Sequence, residues 1–135
     1  MKLSIIVCAF NERDTIEECL KQIIDADLGS GWEREVIVLD NCSTDGTREI
    51  LQSCALPNTR IVLNGRNLGK GGSIRLGFEL AVGEYCVIQD ADLEYPPGQL
   101  RRLLEAVEVR DCKISRVPSV EQLSSTMTSR SQPLE

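Results

Sequence analysis

Four short apolar runs rich in β-branched residues, Leu3–Cys8, Val36–Leu39, Arg60–Leu63 and Tyr85–Gln89, are separated by stretches of helical spacing, and this alternation is the chain's strongest constraint on its fold. The runs are mostly continuous, as strands buried on both faces are. After a capping Asp14 or Thr15, the residues Ile16, Cys19, Leu20, Ile23 and Ile24 recur at helical spacing, until Gly29-Ser30-Gly31 breaks the pattern. Ser43-Thr44-Asp45-Gly46 reads mostly as the cap of a short helix carrying Ile50 and Leu51. A glycine-rich turn precedes a helix through Ile74, Gly77, Phe78 and Ala81, and Pro96-Pro97-Gly98 leads into one with Leu100, Leu103, Leu104 and Val107. Strands alternating with helices imply βαβ units: an α/β fold with a parallel, Rossmann-like sheet and helices on both faces.

A polar cluster follows each strand: Asn11-Glu12, Asp40-Asn41, Asn67 to Lys70, and Asp90-Ala91-Asp92. Parallel strands bring all of these to one sheet edge, the carboxyl edge, where open α/β sheets bind ligands. The last cluster is the most telling. Two carboxylates one residue apart repel each other, and the arrangement makes most sense with a divalent cation between them. Mg²⁺ takes one or two protein carboxylates and completes its shell with water and substrate phosphates. Alone, the triplet also fits a polar turn after a strand. An EF-hand loop counted from Asp90 would need Gly and Glu where Tyr95 and Arg101 stand. Gly65 to Gly71 departs from the P-loop spacing, and Ile74 occupies the last glycine position of a dinucleotide fingerprint begun at Gly69.

At 135 residues with 41% apolar content, the chain has the size and composition of one domain. A net charge of −6 argues against a nucleic-acid partner. No apolar run reaches the ~18 residues of a membrane span. Met1–Phe10 reads as a strand and not a signal peptide, because Asn11-Glu12-Arg13-Asp14 replaces a small-residue cleavage site. The cysteines Cys8, Cys19, Cys42, Cys54, Cys86 and Cys112 are scattered, and there is no His to complete a zinc site. Reduced thiols in a cytoplasmic chain are expected. Residues 1–109 form the expected domain, while 110–135, rich in Ser and Thr without a sustained period, read as a weakly ordered tail.

The clusters, in this order, resemble the family 2 glycosyltransferases of GT-A fold, and within them the subgroup making dolichyl- or polyprenyl-phosphate sugars. The carrying segments are Ser4 to Glu12, Val38 to Thr47, Asn67 to Gly72 and Gly83 to Pro97. The resemblance implies a GDP- or UDP-linked sugar as donor. It places Ala9, Phe10, Asn11 and Glu12, with Asp40 and Asn41, around the base and ribose. Asn67 and Lys70 would meet the phosphates, and Asp90, Ala91 and Asp92 the diphosphate. Mg²⁺ or Mn²⁺ would sit on Asp90 and Asp92, with Glu94 as a further ligand. Many relatives carry a second Asp where Asn41 stands, and often Gln where Glu94 stands.

The implied reaction is sugar transfer with inversion to a polyprenyl phosphate or another acceptor. A polyprenyl phosphate is already an anion and needs no dedicated base, whereas a hydroxyl acceptor would need one; no catalytic residue is assigned. The resemblance stops near Val109: the Gly-Ser-Arg motif of relatives has only a misplaced echo in Thr128-Ser129-Arg130. The expectation is therefore the nucleotide-binding half of the fold, with a partner chain to supply the acceptor half and peripheral attachment to any membrane. The alternatives are an inactive nucleotide-binding module and a sugar nucleotidyltransferase, whose basic glycine-rich first loop is here Ala9-Phe10-Asn11-Glu12.

Overall fold

At the centre of the sheet, β1 (Lys2–Ala9) lies parallel to both β2 (Glu33–Asp40) and β4 (Tyr85–Asp90), and β3 (Thr59–Leu63) adds in parallel beyond β2. The computed structural model describes residues 1–93, 96–110, 114–116 and 126–129. Within the segment read as a tail, β5 (Ile114–Arg116) and β6 (Thr126–Ser129) pair antiparallel, and β6 pairs antiparallel with β4. The full order is β3-β2-β1-β4-β6-β5. The expected α/β architecture is present, with four parallel strands and helices on both faces.

Residue parity sorts the helices. Leu3, Ile5, Val7, Val36, Val38 and Val87 pack with Ile16, Leu20 and Ile23 of α1 (Ile16–Asp25) and Leu100, Leu103 and Leu104 of α4 (Leu100–Arg110). Ile6, Ile37, Leu39 and Cys86 form the opposite face, against Leu76, Phe78 and Leu80 of α3 (Gly69–Leu80). Helix α3 lies close to the sheet at Gly77, where an added Cβ would stand 2.6 Å from Ile6 Cγ2. The short α2 (Thr47–Gln52) contributes Leu51 to the larger cluster.

Register then places the polar clusters. Cys8 lies beside Asp90 and Ala9 beside Asp40, so the ends of three strands are level. Asp40 and Asp90 are the last residues of their strands. Local details differ from the sequence reading. The glycines do not form a turn before α3: Gly69–Gly72 is its first turn, because packing against the sheet outweighs the poor helix propensity of glycine. Thr15 occupies the N-cap position of α1, but its side chain caps nothing there. Gly46, with φ of 108°, takes the N-cap position of α2, also without a side-chain cap.

Candidate functional site

The loops at the carboxyl edge are tied together by side chains that reach between them. Asn11 takes a left-handed backbone (φ 52°), which its short polar side chain tolerates. Its N–H donates to Ser43 Oγ at 2.9 Å, and its Oδ1 accepts from the N–H of Thr44 at 2.8 Å. The N–H groups of Glu12 and Arg13 donate to Thr47 Oγ1 and Asp45 Oδ2. The Ser43–Thr47 segment thus fastens the first loop to the second, a larger role than capping a helix. Thr15 Oγ1 donates to the carbonyl of Ala91 at 2.7 Å, joining the first loop to the one after β4. Cys42 (φ 64°) and Leu93 (φ 63°) are strained left-handed residues in these loops.

These loops enclose a cleft of about 530 Å³ lined by Cys8, Ala9, Phe10, Glu12, Asn41, Asn67, Gly69, Lys70, Ser73, Asp90, Ala91 and Asp92. That volume suits a small-molecule ligand. Of the residues expected at the site, nine line the cleft and two do not: Asn11 is spent in the loop tie, and Asp40 is fully buried behind it. Asp40 Oδ2 accepts from Ser43 N–H and from Arg48, while its buried Oδ1 has no hydrogen-bond partner. Glu94 lies outside the described residues, as does Cys112. The remaining cysteines are free thiols.

Charge is concentrated at the cleft's mouth. Lys70 Nζ lies 2.9 Å from Asp90 Oδ1, and this contact raises the lysine's pKa. Burial, followed by the charges of Asp92, Asp45 and Asp90, raises the Glu12 carboxyl against an opposing hydrogen bond from Thr15. Burial pushes the Cys8 thiol up to about 11, so it lines the cleft as a neutral group.

The donor set fits a hard divalent cation. Asp90 and Asp92 offer oxygen ligands, and an ammonium already rests on Asp90 as a cation would. Among the described residues no group of three His, Cys, Asp or Glu could hold a metal ion. With two carboxylates at hand, a cation here would take most of its shell from waters and a ligand's phosphates, as Mg²⁺ commonly does.

Sequence reasoning missed Ser73 and Asn64, both buried polar residues beneath the glycine-rich segment. Asn64 follows β3 directly, as Asn41 follows β2, so the recurrence of a polar residue just past a strand end was a usable signal.

A parallel α/β sheet with an acidic cleft at its carboxyl edge is an architecture this chain shares with glycosyltransferases of GT-A fold. A solved structure of this kind, a mannosyltransferase from Pyrobaculum calidifontis in complex with GDP-Man and Mn²⁺, matches with a TM-score of 0.75 at 25% identity, covering 96% of this chain and 44% of that one. The chain belongs to glycosyl transferase family 2, whose model matches residues 4–132. That match continues past Val109, where the resemblance read from motifs stops. An undecaprenyl-phosphate 4-deoxy-4-formamido-L-arabinose transferase of Edwardsiella ictaluri is 36% identical over 109 residues, 78% of this chain and 34% of that protein. A dolichol-phosphate mannosyltransferase of Pyrococcus furiosus is 34% identical over 110 residues, 80% of this chain and 30% of that protein. The chain spans about a third of the length of these curated relatives.

Proposed function

We propose that the cleft binds the nucleoside diphosphate of a nucleotide sugar, together with a divalent cation, for inverting sugar transfer to a polyprenyl phosphate. The observation that carries this reading is the meeting of Lys70, Asp90, Asp92 and the first turn of α3 at one cleft mouth. The N–H groups of Lys70 and Gly71 in the first turn of α3, beyond those of Leu68 and Gly69 that side chains already take, and one ammonium suit phosphate oxygens. Asp90 and Asp92 would hold Mg²⁺ or Mn²⁺ with the diphosphate, Glu94 being a further candidate ligand. The cation supplies charge to the leaving diphosphate. Phe10, about half exposed at the lip, offers an aromatic face to a base, and Ala9 leaves room beside it. Asp40, buried behind the cleft with its Oδ1 unpartnered, is the candidate acceptor for a donor on the base or ribose.

The names of the curated relatives support a lipid-phosphate acceptor, and the mannosyltransferase complex with GDP-Man supports GDP as the donor's nucleotide, UDP being the other candidate. No helix among the described residues is long and apolar enough to cross a membrane.

Thermal unfolding with GDP or UDP, each with and without Mn²⁺, tests the reading. A ligand of the folded state raises the midpoint. The expected result is an upward shift with one nucleotide and Mn²⁺ together that exceeds the shift with either alone. A cooperative transition that neither nucleotide moves would overturn the donor site.

A further inference from the structure

Asn41 lines the cleft, yet its carboxamide is turned toward the protein. Its Oδ1 accepts from the N–H of Leu68 at 2.7 Å and from Asn64 Nδ2 at 3.4 Å. Its Nδ2 donates to Asn67 Oδ1 at 2.8 Å. Asn67 Oδ1 also accepts from the N–H of Gly69 at 2.8 Å. Asn64 Nδ2 continues the network to Ser73 Oγ at 3.1 Å, on the fully buried side of α3.

The two backbone N–H groups determine both amide orientations. A backbone N–H can only donate, so Leu68 fixes Asn41 Oδ1 and Gly69 fixes Asn67 Oδ1. The contact between the two side chains must then be N–H to O, with Asn41 as donor. With both lone pairs of Oδ1 engaged, Asn41 has no acceptor left for a donor on a base or ribose.

We infer that Asn41 is a positioning residue: it pins the Asn67–Lys70 segment to the end of β2 and so sets the phosphate-binding turn relative to the base pocket. This deepens the donor-binding reading and rests on it for its ligand. It also gives a physical reason for Asn and not Asp at this position. An aspartate at 41 would present oxygen to Asn67 Oδ1, and Asn67 cannot turn its amide without placing Nδ2 against the Gly69 N–H.

The test compares diphosphate with nucleoside. In the full chain, Asn41→Ala, which removes the pin without adding charge beside the diphosphate, should weaken binding of GDP or UDP, whichever the wild type takes up, roughly tenfold, about the effect of one lost hydrogen bond in this range. Guanosine or uridine should weaken less than about twofold, since the base pocket itself is unchanged. A merely destabilising change would move both ligands alike. Equal losses, or a loss confined to the nucleoside, would overturn the inference. Amide exchange of Leu68 in the ligand-free chain provides a separate reading. Asn41→Ala should speed that exchange roughly tenfold through loss of its acceptor. If the wild type binds neither diphosphate, the donor-site reading falls, and unchanged Leu68 exchange in N41A would overturn the pin on its own.

Discussion

Lys70 Nζ stands 2.9 Å from Asp90 Oδ1, so a residue in the first turn of α3 holds the carboxylate that ends β4. Twenty residues of sequence separate them, and only the parallel packing of β4 beside β1, under α3, brings them together. In the proposed site this ammonium and a divalent cation compete for one oxygen.

Lys70→Met should therefore ease Mn²⁺ binding in the absence of nucleotide. The lysine side chain is 60% exposed, so the ion pair is screened and worth at most ~1 kcal/mol, which limits the gain to about fivefold. The same substitution should weaken nucleoside diphosphate binding in the presence of Mn²⁺, because the phosphates lose their ammonium. Titration of Mn²⁺ by electron paramagnetic resonance, with and without GDP or UDP, separates the two effects. Unchanged Mn²⁺ affinity in the free chain would show that Lys70 does not shield Asp90.

Arg48 bridges Asp40 Oδ2 and the carbonyl of Asn64, and Asp40 is fully buried. Arg48→Met leaves that carboxylate without its cation. The loss should be roughly 2–3 kcal/mol, short of the cost for fully buried pairs because water reaches the arginine side chain. Adding Asp40→Asn should recover much of it, since the neutral amide carries no buried charge. Urea unfolding of the single and double variants measures both numbers, and additive losses would exclude the coupling.

Gly83 lies where the chain enters β4, and an added Cβ would stand 2.5 Å from Ser4 Oγ, 2.8 Å from Ser4 N and 2.9 Å from Lys2 O. Two of these atoms are backbone of the central strand and cannot yield cheaply. Gly83→Ala should cost about 1–3 kcal/mol by overpacking. Gly98, with nothing within 4 Å and no left-handed backbone, is the control, and Gly98→Ala should fall within about 0.5 kcal/mol of wild type. Thermal midpoints of the two variants decide it.

Burial and neighbouring carboxylates raise the Glu12 pKa above its ordinary value of 4.5. A carboxyl raised on folding is protonated more readily in the native state, so its ionisation opposes folding. That penalty is absent below the unfolded value and complete above the folded one. Glu12→Gln should therefore raise the thermal midpoint at neutral pH, and the gain should disappear as the pH falls below about 4. The Thr15 hydroxyl keeps an acceptor in the glutamine carbonyl. A midpoint difference independent of pH would indicate that packing, and not charge, is responsible.

The larger elements could be read from the sequence because each carries a local pattern. Continuous β-branched runs mark β1, β2 and β4, and the polar residues following them mark the carboxyl edge. Shorter pieces carry no such pattern: β5 and β6 have three and four residues, too few for any periodicity to show. The glycines of α3 spoke for a turn until sheet packing made them the start of a helix. Asp40 is predicted at the site by its position after a strand, but its burial behind the cleft follows from the register of β2 with β1 and from Arg48.

By itself the sequence determined the α/β class and which residue types gather at one edge, since these depend on order along the chain and on apolar periodicity, and its motifs carried the resemblance to the family. Tertiary structure alone decided which side chains meet. Thr15 joins Ala91 across 76 positions, Asn41 joins Leu68 and Asn67 across 27 and 26, and Lys70 joins Asp90 across 20. Such pairings depend on strand register and loop geometry, which bring distant residues within hydrogen-bond reach and leave no periodic trace in the sequence.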